Sequence, residues 1–145
     1  MREFRRRLYE LIRRYPRLAR GGLNQRELLD LARRVARRSG LSVRVAYKPW
    51  PWPASVVRIA RTLVIIVDED RIPAEQVLAL AHEVGHIALG HYHAERFWAD
   101  TDGLACSVEE QEADLFASLV LSRHLGPLDY LGREQFELFR QQAVT

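Results

Sequence analysis

Apolar residues recur with a helical period at both ends of the chain and with a strand period in its middle. Phe4, Leu8, Leu11, Ile12, Tyr15 and Leu18 share one face of residues 3–19, with arginines filling the other. That spacing predicts an amphipathic helix, which Pro16 kinks or ends early. Gly21-Gly22 breaks the chain. A second helix is predicted from Asn24, which forms a capping-box-like pair with Glu27, to Ser39-Gly40, with Leu28, Leu31, Ala32 and Val35 as its apolar stripe. Leu41, Val43 and Val45 then alternate with polar residues as a strand does, and the stiff turn Pro49-Trp50-Pro51-Trp52-Pro53 follows. Val56–Ala60 and Thr62–Val67 predict a hairpin or two short adjacent strands. The unbroken run Leu63-Val64-Ile65-Ile66-Val67 suits a buried central strand.

The helical period returns at Pro73, a residue that costs nothing in the first turn, where its missing N–H has no partner to lose. Val77, Leu80, Ala81, Val84, Ile87 and Ala88 keep this helix buried until Gly90 terminates it. Residues 91–107 carry no regular pattern. Another helix is predicted from near Ser107, turning Leu115, Phe116, Leu119 and Val120 inward, and a last one from about Leu128 to Gln142. The expected class is α+β: N-terminal helices, a small antiparallel or mixed sheet of about three strands, then three helices. No repeat or low-complexity linker divides residues 1–145, so one domain is expected, with a basic helical part over about 1–40 and a core over about 41–145.

The helix after Pro73 carries the chemistry. His82 and His86 are four residues apart, about 40° around a helix, which sets two imidazoles side by side at a spacing one metal ion can bridge. Glu83 stands next to them, placed to reach a water on that metal rather than the metal itself. Zinc accepts nitrogen donors and acidifies bound water, and a neighbouring carboxylate can take that water's proton as it attacks an amide. A third ligand is needed. The spacings that would add another histidine from the same motif fail, because Leu89, Gly90 and Tyr92 occupy those positions, and His91 and His93 lie past the helix end. Glu110 is the better candidate, with Asp114 one turn later able to accept the free N–H of a ligand histidine. Glu112 lies on roughly the opposite side of that helix and ranks as the alternative ligand, with Glu109 below it. A competing role for Glu110 is as the second half of a capping box with Ser107. His91, His93, Tyr92, His124 and Tyr130 are all open as transition-state donors. Trp50 and Trp52 read as a packed turn or as part of a peptide groove.

The run Ala81-His82-Glu83-Val84-Gly85-His86-Ile87-Ala88-Leu89-Gly90-His91, followed by Glu110-Gln111-Glu112-Ala113-Asp114-Leu115-Phe116-Ala117-Ser118, resembles the ImmA/IrrE family of metallo-endopeptidases. The resemblance covers roughly residues 40–125. It implies a zincin-like fold and one zinc ion per chain, with His82, His86 and Glu110 as ligands, Glu83 as general base and Asp114 behind a ligand histidine. It also implies a protein substrate, often a helix-turn-helix transcriptional repressor cleaved during stress responses. The chain departs from the family where a Leu-Leu-Met-Pro-like end is usual, reading Leu119-Val120-Leu121-Ser122-Arg123 instead. That difference concerns substrate contacts and not the metal site.

Charge adds a rival reading. Residues 1–67 carry 17 basic and 4 acidic side chains, residues 68–145 carry 5 and 15, and every basic residue but Lys48 is arginine. Arginine forks match phosphate and carboxylate, so a non-catalytic, zinc-stabilised regulator gripping DNA or an acidic protein partner is the alternative. No nucleic-acid motif accompanies the arginines. No apolar run approaches the ~18 residues of a membrane span. The basic N-terminus leads into no continuous apolar segment, and the single cysteine, Cys106, excludes an intrachain disulfide, so the expected location is the cytoplasm.

Overall fold

The computed structural model describes residues 2–91, 97–99 and 108–122. The helix expected over 128–142, and with it Tyr92, His93, Cys106, Ser107, His124 and Tyr130, lies outside the described residues. Helix α1 spans Arg2–Arg14 and gives way to a short 3-10 turn at Pro16–Arg20, because proline cannot donate in the helix and holds Tyr15 out of helical geometry. Helix α2 (Gln25–Arg37) starts in a full capping box: the Asn24 side chain accepts from the Glu27 amide, and the Glu27 carboxylate accepts from the Asn24 amide.

Strands β1 (Ser42–Lys48), β2 (Ala54–Ile59) and β3 (Thr62–Asp68) follow, and then α3 (Pro73–Ala88), β4 (Phe97–Ala99) and α4 (Val108–Leu121). The sheet order is β1-β3-β2-β4. β1 runs parallel to β3, β2 pairs antiparallel with β3 across a two-residue turn, and β2 pairs antiparallel with β4. The sheet is mixed and gains a short fourth strand inside a segment with no sequence pattern. Three residues are too few to display an alternation. β3 is central, with Leu63, Ile65 and Val67 wholly buried.

The Pro-Trp run arches over the end of β3 to carry the chain from β1 on one side to β2 on the other. Backbone bonds fix both feet, from the Asp68 amide to the Pro53 carbonyl and from the Glu69 amide to the Lys48 carbonyl. Trp50 and Trp52 pack edge to face inside the arch, and the Trp50 indole donates to the Ser55 hydroxyl at 3.0 Å. The buried Asp68 carboxylate is the keystone, accepting from the Trp50 and Asp70 amides and from the Arg71 guanidinium.

α3 is the axis of the molecule, buried without interruption from Ala79 to Leu89. A single apolar cluster joins it to Phe4, Leu8 and Leu11 of α1, Leu28, Leu31 and Ala36 of α2, the inner face of β3, and Phe116, Leu119 and Val120 of α4. The N-terminal segment also braces helix ends. Arg7 donates to the Leu89 carbonyl at the end of α3, and the Leu23 amide donates to the Val120 carbonyl at the end of α4.

Asp68 yields a test. Burial alone would raise its pKa, but the Asp70 and Trp50 amides and the Arg71 guanidinium outweigh burial and hold the carboxyl below its ordinary range. A depressed folded pKa stabilises the fold above the ordinary value of about 3.9, and that contribution is lost as pH falls through the folded value. Asp68→Asn is expected to lower Tm at pH 7, with the gap to wild type closing below about pH 4 as the wild-type carboxylate protonates. A gap in thermal melts that is unchanged at low pH would refute the charge-based account.

Candidate metal centre

The site is built where α4 crosses α3, and Gly85 sets how closely they approach. A Cβ at this position would lie 3.0 Å and 3.2 Å from atoms of the fully buried Phe116 and 3.3 Å from the Ala113 carbonyl. The glycine between the two histidines therefore admits α4 against α3, and this contact brings the acidic run of α4 into reach.

The two imidazoles pack edge to face with centroids 4.8 Å apart. Their Nε2 atoms face each other at 3.2 Å, and Glu110 spans both, with Oε2 2.8 Å from His82 Nε2 and Oε1 2.9 Å from His86 Nε2. Donor atoms of His82, His86 and Glu110 all lie within 4.8 Å of one another, the only such group of three among the described residues. Tetrahedral zinc, with ligand bonds of about 2.0–2.2 Å, sets neighbouring donors roughly 3.3 Å apart. The observed separations approach that spacing. Hydrogens on both Nε2 atoms would crowd one point, whereas a single cation satisfies two nitrogen lone pairs and a carboxylate. The donor set fits a divalent metal.

Behind this cluster the remaining ring nitrogens are also engaged. His82 Nδ1 lies 2.7 Å from Asp114 Oδ1. His86 Nδ1 lies 3.1 Å from His91 Nδ1, and His91 Nε2 lies 2.8 Å from Glu112 Oε1. Glu112 thus meets His91 and is not part of the His82, His86 and Glu110 group. His91, considered as a transition-state donor, has both ring nitrogens committed to His86 and Glu112. Burial lowers its pKa below the ordinary imidazole value, aided by repulsion from His86, and these outweigh the opposing pull of Glu112 and Glu109.

The placement of His91 has a backbone cause. Gly90 takes a φ of +74°, the Gly90 amide donates to the Ile87 carbonyl, and the His91 amide donates to the His86 carbonyl at 2.8 Å. This is a Schellman motif, which folds the residue after the glycine back over the last turn. The glycine-histidine pair at 90–91 carried that signal in the sequence, but a histidine beyond a helix end does not announce its return to the helix.

Glu83 is buried on α3 beside His82, at 2% exposure. Glu110 turns both carboxylate oxygens to the histidines, and Ser107, its partner in the competing capping box, lies outside the described residues. An open cleft of about 490 Å³ adjoins the cluster, lined by Pro53, Arg71, Leu78, His82, Glu110 and Asp114 among others. The tryptophans do not line it. Comparison with protein-family models, curated proteins and solved structures finds no match to this chain.

Gly85→Ala isolates the packing requirement. Alanine should add about 1 kcal/mol of helix propensity, but overpacking against Phe116 costs roughly 1–3 kcal/mol. The expected outcome is a lower Tm together with weaker metal uptake, as α4 retreats with Glu110. A variant more stable than wild type would show that the helices do not depend on this close approach.

Proposed function

We propose that this chain is a zinc-dependent endopeptidase of zincin-like fold that cleaves a specific regulatory protein, such as a helix-turn-helix repressor, in the cytoplasm. The observation that carries the reading is the convergence of His82, His86 and Glu110 at the wall of an open cleft. Two imidazoles and one carboxylate make a nitrogen-rich donor set suited to zinc, and three protein ligands leave a fourth position open, the arrangement of catalytic rather than structural sites. The motif resemblance supports the substrate class. No helix among the described residues is long and apolar enough to cross a membrane.

Zinc held by His82, His86 and Glu110 would supply a Lewis acid and would lower the pKa of a bound water to about 7. Glu83 takes the proton of the attacking water on its carboxylate and returns it to the leaving amine nitrogen. His82 and His86 hold their Nε2 lone pairs inward, with Asp114 orienting the first of them from behind. The cleft holds the peptide beside these groups.

One observation favours a second reading. Among the described residues, the side chains of Arg13, Arg14, Arg20, Arg26, Arg34, Arg37, Arg38, Arg44 and Arg61 have no hydrogen-bonding or ion-pairing partner, and six of these nine sit on or at the end of α1 and α2. Such a surface suits a regulator that acts by contact with nucleic acid or an acidic protein, and its binding should weaken steeply with salt if phosphates are involved.

Elemental analysis and peptide cleavage separate these readings. Wild type is expected to hold about one zinc per chain, lost in His82→Ala and Glu110→Ala. Glu83→Gln should keep the zinc and lose at least about 100-fold in the rate at which new N-termini appear in a proteome-derived peptide mixture. A zinc-loaded Glu83→Gln protein cleaving at the wild-type rate sinks the mechanism. A wild type that takes up no zinc and cleaves nothing moves the arginine surface to first place.

A further inference from the structure

His91 and Glu112 lie on the side of His86 away from the cleft, and neither lines it. We propose that Glu112 and His91 are positioning residues, forming a relay that locks the His86 imidazole with its Nε2 lone pair toward the metal. The proposal rests on the reading of His82, His86 and Glu110 as a metal centre.

The direction of every hydrogen follows from the chemistry of imidazole. A ring that ligates through one nitrogen carries its hydrogen on the other. His86 presents Nε2 to the cluster, so its Nδ1 bears the hydrogen, and the atom facing that hydrogen is His91 Nδ1 at 3.1 Å. His91 Nδ1 must therefore accept. In a neutral ring the hydrogen of His91 then sits on Nε2, and Nε2 faces the Glu112 carboxylate at 2.8 Å. A carboxylate can only accept. One tautomer assignment satisfies all three groups, and it leaves the His86 Nε2 lone pair free for a metal. The reverse assignment would aim an N–H of His86 at the cluster, where a metal needs a lone pair.

Backbone geometry holds the relay in place. The turn at Gly90 ties the His91 amide to the His86 carbonyl, so the two residues are joined by main chain and by side chain. Burial matters as well. His86 is 4% and His91 3% exposed, so water cannot supply the acceptor that His86 Nδ1 requires. The two ligand histidines are thus oriented by one helix in two ways: His82 by Asp114 directly, and His86 by Glu112 through an interposed imidazole. The same arrangement explains why Glu112 is not a ligand, since the His91 ring stands between it and His86.

The relay is tested by zinc affinity, measured in competition with a chromogenic chelator, and by imidazole 1H–15N spectra of the zinc-loaded protein. Wild type should bind one zinc, with a slowly exchanging Nδ1–H on His86 and the Nε2–H tautomer on His91. His91→Phe and Glu112→Leu should bind about 10- to 100-fold more weakly at unchanged stoichiometry. Glu112→Gln, which keeps an acceptor oxygen and the side-chain volume, should fall in between and lose less of the His86 signal. It also carries the test if a bulkier change fails to melt cooperatively. Variants that bind within about threefold of wild type, or a zinc-loaded wild type with His91 in the Nδ1–H tautomer, overturn the relay and leave the metal centre standing. Absence of zinc uptake by wild type overturns both, and is distinguished because Glu110→Ala then behaves like wild type.

Discussion

Two histidines buried on one helix impose the constraint around which this molecule is arranged. Each imidazole has two nitrogens that must meet a hydrogen bond, a proton or a metal, and α3 is largely buried over the stretch that carries them. The partners have to come from protein close enough to touch the helix. α4 is that protein, and it approaches because residue 85 has no side chain and because Ala113 and Phe116 fill the space left there. Once the helices meet in this way, positions 110, 112 and 114 of α4 reach the ring nitrogens and the turn after α3. Leaving any one of those buried nitrogens unpaired would cost about 1–3 kcal/mol, so the packing and the polar network stand or fall together.

This also accounts for part of the charge asymmetry. Glu110, Glu112 and Asp114 of α4 are engaged by imidazoles, while most arginines of α1 and α2 lie on the outside of the helical layer. A few arginines do local work. Arg7 closes the end of α3, and Arg17 pairs with Glu27 of the capping box at 2.9 Å. The pairs of Arg6 with Glu3 and Glu10 are exposed and contribute little to stability.

The parts legible in the sequence are those governed by short-range periodicity. The 3.6-residue repeat gave α1 to α4, and proline and the asparagine cap gave the breaks at 16 and 24, because these effects act within a turn or two of chain. The spacing of His82, Glu83 and His86 is of the same kind. What could not be read was long-range. Nothing local says that β1 pairs parallel to β3 with β2 on the far side, or that residues 97–99 add a strand. The hairpin turn was ambiguous because Ala60, with a φ of +54°, holds a conformation normally signalled by glycine or asparagine. The link from Glu112 to His86 needed two helices and a returning turn to be in place at once, so neither residue's role was visible in its own neighbourhood.

The flanks of the centre differ in a way that bears on chemistry. The Asp114 side chain is 75% exposed and lines the cleft with His82 and Glu110, whereas the Glu112 side chain is 12% exposed behind the ring of His91. A purely structural metal site gains by closing both flanks, since access only invites exchange. A catalytic one needs a flank rigid enough to fix the ligands and another open enough to admit substrate and water. Under the proposed peptidase function, His86, His91 and Glu112 form the first, tied down by side-chain and main-chain bonds in the interior. His82, Glu110 and Asp114 form the second, at the wall of the cleft. The carboxylate that orients His82 is itself within reach of solvent and of anything bound there.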